Sequence, residues 1–312
     1  MKQENRESDV INRPLPTFQD LVLDRAAPHV LRITLNRPKK RNAQSWDMIY
    51  EIDKAFAFVA HDDHTKVAIL AAAGPDFSSG HDLSGHGARA IGDYAPVGVW
   101  GQREAPGYEG PYSREREIYL DMTERWRNSP KPTIAQVHGH CVAGGMMLAW
   151  ACDLIVASND ALFSDPTVDM GVCGVETFAH PFELGFRKAK EWLFTADSLT
   201  ASEAQQCGMV NRVVERARLE TFTVELAKRI AAKPMFALKM TKEAINHAED
   251  MAGRRACLMY GFALHQLCHT HNIGLGGFPI TLDGLPPTVK KAAEAWAARK
   301  DFVKAHPDGS GE

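Results

Sequence analysis

The chain has 312 residues, 45% of them hydrophobic and 24% charged, with a formal net charge of −3 at pH 7. That length can bury a sizeable core, and the slightly acidic balance supplies no basic field for nucleic acid or an acidic membrane. The cysteines at 141, 152, 173, 207, 257 and 268 form no CxxC pair, and no run of about eighteen apolar residues and no signal-peptide core occurs, so reduced thiols, no membrane partner and a cytoplasmic protein are expected.

Residues 1–17 are polar, carry Pro14 and Pro16, and read as a flexible N-terminal arm. VLRITLN at 30–36 alternates like a strand, and Trp46, Ile49, Phe56 and Val59 recur at helical spacing over 45–60. VAILAAA at 67–73 is a continuous apolar run, as in a strand covered on both faces. The glycine-rich loop GPDFSSGHDLSGHG follows, then a long segment, 84–112, whose aromatics suggest a lid. GHGARA at 85–90 follows no strand directly and opens no βαβ unit, which argues against a dinucleotide site.

A helix is expected from 113 to 128, and its acidic stretch YSREREIYLDMTERW reads as a solvated face. The strand TIAQV then leads into HGHCVAGGMML, followed by the short strands DLIVAS and ALFSD. Helical patterns dominate from 176 to 270, with PMFALKM through HQLCH read as one run and TVKKAAEAWAARKDFVKAH as a last helix. The alternation predicts an α/β core over 18–215 and a helical region over 216–312. His265, His269 and His271 stand near a helix end; two could share a face and bind metal, but solvated or capped histidines are the expectation and no metal site is assigned. His138 and His140 read as core or supporting residues.

Two glycine-rich turns, FSSGHDL and HCVAGGMML, each follow an apolar strand. Main-chain N–H groups from two such turns can converge on one carbonyl oxygen as an oxyanion hole. The alternative reading of the second turn is a tightly packed strand-to-helix crossover.

Five segments in order, NRPKKRNA (36–43), GPDFSSGHDL (74–83), VHGHCVAGGMMLAWACD (137–153), FSDPTVDMGV (163–172) and ASEAQQCGMVNRVV (201–214), resemble the landmarks of the crotonase, or enoyl-CoA hydratase/isomerase, superfamily, over roughly residues 18–250. The resemblance implies a ββα-spiral core with a helical C-terminal trimerisation region, an acyl-CoA substrate, no separate cofactor, and a homotrimer or hexamer. It places the oxyanion donors at the N–H groups of His81 and Gly144, the CoA pantetheine and phosphates beside Lys39, Lys40 and Arg41, and the adenine pocket at Ser79 and Leu83. Where hydratases carry two glutamates, this chain has Met147 and Thr167, neither of which transfers a proton at neutral pH. Glu176, in GVCGVETF, is the leading acid/base by the same resemblance, with Asp165, Asp169 and His140 secondary. A glutamate interacting with a helix N-terminus is the alternative for Glu176. The implied activity is hydratase or isomerase, with a crotonase-fold hydrolase, a C–C cleaving enzyme and an inactive acyl-CoA binding protein as alternatives. Leu258, Phe262, Leu264 and Trp296 are expected to be buried between subunits.

Overall fold

The computed structural model describes residues 14–83 and 89–283, together with 285, 287, 290, 291 and 294. In chain order its strands are β1 (Leu21–Ala27), β2 (Val30–Leu35), β3 (Val67–Ala72), β4 (Thr133–Val137), β5 (His140–Val142), β6 (Leu154–Ser158), β7 (Leu162–Ser164), β8 (Leu199–Thr200) and β9 (Arg212–Val214). One sheet runs β1-β2-β3-β4-β6-β9, antiparallel only between β1 and β2; a smaller one runs β5-β7-β8.

Parallel strands are covered on both faces, and side chains here divide by the strand period of two. Leu70, Ala135 and Ile155 join the main core, which also holds Ile49, Ile52 and Phe56 of the helix Trp46–His61. Ile69, Ile134 and Val156 face the other way, onto Leu219, Ala227 and Ala231 of the helix Leu219–Ala231. Ser45 caps the first of these helices by accepting from the Met48 N–H at 3.3 Å.

The chain winds as a spiral. After β4 it crosses to the small sheet as β5 and enters the helix Gly144–Trp150; after β6 it crosses again as β7. Ser78 makes the same crossing after β3, bridging to Cys141, which in turn pairs with Phe163. Successive turns therefore stack their strand-to-helix connections side by side.

Several elements differ from expectation. β1 and β9 stand outside the expected strands, and each is an edge strand paired with a single neighbour, β2 and β6 respectively. The long C-terminal helical run divides into Met235–Met251 and Arg254–Gly276 around Gly253, whose φ of 99° no helix admits. Leu258 and Phe262 pack into the chain's own core and so do not await a second subunit, while Leu264 is half-buried. The exposed large apolar residues of this region include Phe236, Met240, Ile245, Met251, Tyr260 and Leu267. Trp296, most of the last helix, residues 1–13 of the arm and residues 84–88 lie outside the described residues. Among the described residues no helix is long and apolar enough to cross a membrane.

The acidic helix is also not a solvated face. It runs as Glu109–Glu115, a π-helical turn Arg116–Asp121, and Met122–Arg127, and it buries Glu117 through Leu120 consecutively. Glu117 is 2% exposed and accepts from the Tyr50 hydroxyl at 2.5 Å, Arg103 at 3.0 Å, and the N–H groups of Val97 and Gly98 at 3.3 and 3.1 Å. One buried carboxylate thus ties the segment around 97–103 to two helices. Changing Glu117 to alanine strands the buried Arg103 guanidinium and should cost about 3–5 kcal/mol in urea unfolding; a loss below about 1 kcal/mol would show that these donors find other acceptors.

Candidate active site

The two glycine-rich turns meet at one end of the small sheet. The Ser78 N–H donates to His140 O at 3.1 Å and the Val142 N–H to Ser78 O at 2.9 Å. On the other side, the Gln44 N–H donates to Gly80 O at 2.8 Å and the Asp82 N–H to Gln44 O at 3.0 Å. That parallel bridge uses the groups flanking His81 and turns the His81 N–H away from Gln44. Gly144 opens its helix, where N–H groups have no intrahelical acceptor. Among the described residues, neither the His81 nor the Gly144 N–H makes a hydrogen bond. Ala143, before it, is held at φ 45°, a conformation costing a non-glycine residue on the order of 1–3 kcal/mol.

Glycine is required at two of these positions. Gly80 has φ 87°, and a Cβ there would lie 2.9 Å from Val142 O. A Cβ on Gly144 would lie 2.6 Å from His81 Cε1, so the histidine ring occupies the space a side chain would need. That ring stacks on Tyr119 with centroids 3.9 Å apart, and its Nε2–H donates to Glu176 Oε2 at 3.1 Å.

Glu176 is 5% exposed and precedes the helix His180–Leu184 by four residues, so His81 positions it and a helix N-terminus does not. Burial pushes its carboxyl up, but the imidazoles of His81 first and His265 second more than offset this and hold it well below the usual carboxylate range. Its other oxygen, Oε1, lies 3.5 Å from His265 Nε2. Burial pulls the His265 imidazole below its ordinary value. Around these groups a cavity of 310 Å³ opens, lined also by Tyr119, Glu115, Val142, Val172 and His269.

Of the residues singled out by sequence, Arg41, Ser79, His81, Leu83, Thr167 and Glu176 line this cavity, and Gly144 adjoins it through Ala143. Lys39 and Lys40 stand exposed beyond its lining, in the turn Pro38–Lys40. Met147 is 2% exposed, packed in the core and absent from the cavity wall. The Thr167 hydroxyl is committed to Asp165 at 2.7 Å. Asp165 is itself buried against His180, and Asp169 is exposed outside the lining. His140 also lies outside the lining, and the His138 Nε2–H donates to Gly74 O at 3.0 Å, a fold-holding role. His265 and His269 are not solvated: they are 3% and 6% exposed and face the cavity, while His271 points out. Glu115 and Tyr119 went unread, although their spacing of four on a helix puts them on one face; the acidic composition around them masked that face.

Comparison with known proteins gives a consistent picture. The family model for enoyl-CoA hydratase/isomerase matches residues 25–273. The chain is 43% identical to EchA13 of Mycobacterium tuberculosis over 280 residues, covering 86% of this chain and 85% of that protein. It is 32% identical to the mevalonyl-coenzyme A hydratase sidH of Aspergillus fumigatus over 239 residues, 76% and 82% of the two chains. The crystal structure of a probable enoyl-CoA hydratase from Mycobacterium smegmatis superposes with a TM-score of 0.76 at 44% identity, covering 84% of this chain and 98% of that one. The spiral of β4–β7 is thus the crotonase fold.

Beneath the cavity, Asp165 holds the loop that carries Thr167 and Glu176. It accepts from His180 at 2.8 Å, from the Thr167 hydroxyl, and from the Val175 N–H at 3.1 Å. Burial pushes its carboxyl up, yet these bonds, His180 first, hold it below its ordinary 3.8. A depressed carboxyl stabilises the fold above its unfolded pKa, and that stability disappears as pH falls through the folded value. Asp165→Asn should therefore cost about 1–3 kcal/mol near neutrality, and the deficit should shrink as pH falls below about 4. Urea unfolding of both proteins from pH 7 to pH 3 checks this; a deficit that stays constant with pH would refute it.

Proposed function

This chain belongs to the enoyl-CoA hydratase/isomerase family, and we propose that it binds an acyl-CoA thioester in the cavity beside His81 and moves a proton on the bound acyl group with Glu176. The backbone N–H groups of His81 and Gly144 receive the thioester oxygen and stabilise the enolate that forms when a proton leaves Cα. The observation that carries this reading is the Glu176 carboxylate, buried at the cavity wall and held by His81, whose own N–H makes no hydrogen bond among the described residues.

Hydration needs one group to take a proton from water and another to deliver a proton to Cα. Met147 lies in the core and Thr167 is committed to Asp165, so neither hydratase position supplies such a group. One carboxylate can still shuttle a proton between two carbons of the same acyl chain. Double-bond isomerisation is accordingly favoured over hydration. Relatives named as hydratases agree with this reading in the thioester substrate class.

The CoA phosphates lie at the turn Pro38–Lys40. Arg41 is partly committed to Asp76 at 2.7 Å, whereas no hydrogen bond or ion pair holds the side chain of Lys39 or Lys40 among the described residues. Their cations remain available to phosphate.

Kinetics with 3-enoyl-CoA and crotonyl-CoA test the reading. Glu176→Gln should lower kcat for isomerisation by about 10²- to 10⁴-fold with little change in thioester affinity. The double change Lys40→Ala with Arg41→Ala should weaken binding about tenfold. Rapid crotonyl-CoA hydration that survives Glu176→Gln would refute the assignment, and binding without any turnover would make this an acyl-CoA binding protein.

We also propose that the exposed residues Phe236, Met240, Ile245 and Met251 of one helix and Tyr260 and Leu267 of the next meet other subunits in a homotrimer or hexamer. Sedimentation equilibrium at micromolar concentration should give three or six times the 34.5 kDa chain mass; a monomer would overturn this.

A further inference from the structure

The helical wall of the cavity carries a cluster that proton transfer by Glu176 does not explain. His265 and His269 lie one turn apart on the helix Arg254–Gly276, with ring centroids 4.3 Å apart. Opposite them stand Glu176 and Glu115, and one ligand atom from each of the four residues lies within 4.8 Å of those of the others. All four line the cavity.

The hydrogen bonds fix which ring nitrogens are free. His265 Nδ1 lies 2.7 Å from Gly174 O, and His269 Nδ1 lies 2.7 Å from Pro279 O. A carbonyl oxygen only accepts, so each Nδ1 carries the hydrogen, and in a neutral ring each Nε2 bears a lone pair. Those lone pairs face carboxylates: His265 Nε2 is 3.5 Å from Glu176 Oε1, and His269 Nε2 is 3.7 Å from Glu115 Oε2. Both distances exceed a charge-assisted hydrogen bond, about 2.7–2.9 Å, and His265 Nε2 is buried with no partner.

Acceptor facing acceptor twice over, in a buried pocket, calls for a cation between them. Protonation of both rings would draw each pair to hydrogen-bonding distance. A separation of about 3.4 Å is instead what two ligands take on a common tetrahedral ion with bonds near 2.0–2.1 Å.

We propose that Glu115, Glu176, His265 and His269 form a binding site for one divalent first-row transition ion of the zinc type. The donor set suits that class: imidazole nitrogen favours zinc, iron, cobalt or nickel over magnesium and calcium. Two carboxylates neutralise a dication. The surroundings have the form of a metal site, because a metal-bound histidine donates its other N–H to a carbonyl or carboxylate, as both rings do here. Glu115 is oriented by Gln266, whose Nε2 donates to its Oε2 at 2.6 Å, and Gln266 accepts in turn from the Tyr108 hydroxyl at 3.0 Å. An ion here holds Glu176 by Oε1 and leaves Oε2 to His81. The site rests on this geometry alone and stands whether or not acyl-CoA is the substrate.

The test is metal binding by the full chain, freed of any affinity tag and stripped with chelator. Titration with Co²⁺, followed by visible absorption, and equilibrium dialysis against Zn²⁺ with elemental analysis should both give one ion per chain. The Co²⁺ spectrum should show the intense bands of a four-coordinate nitrogen–oxygen site. His269→Ala and Glu115→Gln should each weaken retention by about tenfold or more, while His271→Ala, on the exposed side, should bind as the wild type does. Less than about a tenth of an equivalent bound by the wild type at tens of micromolar metal, or unchanged affinity in both His269→Ala and Glu115→Gln, would overturn the proposal.

Discussion

The hydrogen bond between the His81 ring and Glu176 is the contact on which the rest of the cavity depends. The ring lies on Tyr119, closes over Gly144 and holds the carboxylate at 3.1 Å. Four parts of the chain, distant in sequence, are fixed relative to one another by that one imidazole. The constraint is electrostatic as well as steric, since a carboxylate 5% exposed stays ionised only if a neighbour compensates its lost hydration. His81 does so through its ring, while its backbone N–H makes no hydrogen bond among the described residues.

The spiral is what allows this. Each turn lays a strand in the large sheet, crosses to the small sheet and enters a helix, so connections far apart in sequence stack in space. The bridges Ser78 to Cys141 and Gln44 to His81 lock the first turn's loop against the second turn's helix start. Positive φ at Gly80 and Ala143 marks where the backbone bends sharply enough to bring those ends together. Strain of that kind persists because surrounding hydrogen bonds over-determine it.

The ionisable lining of the cavity is drawn from several elements. With Met147 in the core and Thr167 bound to Asp165, the polar groups of the cavity come from elsewhere: Glu115 from the helix broken by the π turn, Glu176 from the loop behind Asp165, and His265 and His269 from the C-terminal helix. π-helical turns concentrate at functional sites, and this one follows Glu115 directly and contains the buried Glu117 and Tyr119.

The sequence by itself determined the core. Apolar runs at 30–36 and 67–73 and the helical spacing over 45–60 correspond to β2, β3 and the helix Trp46–His61, because period and burial are local properties of a chain. The ordered motifs determined the family, and the two glycine turns marked where backbone approaches backbone, since such a turn admits only small residues; His81 and Gly144 within them came from the resemblance. The tertiary structure alone decided what no local pattern carries. β1 and β9 owe their pairing to neighbours, and the acidic helix is buried because Glu117 meets donors from two other segments, the helix Trp46–His61 and the stretch 97–103. Leu258 and Phe262 face the chain's own core instead of a partner. Glu115, Glu176, His265 and His269 are separated by up to 154 residues (269 − 115 = 154) and become one cluster only when the C-terminal helix folds over the cavity, a proximity set by packing and so absent from any stretch read alone.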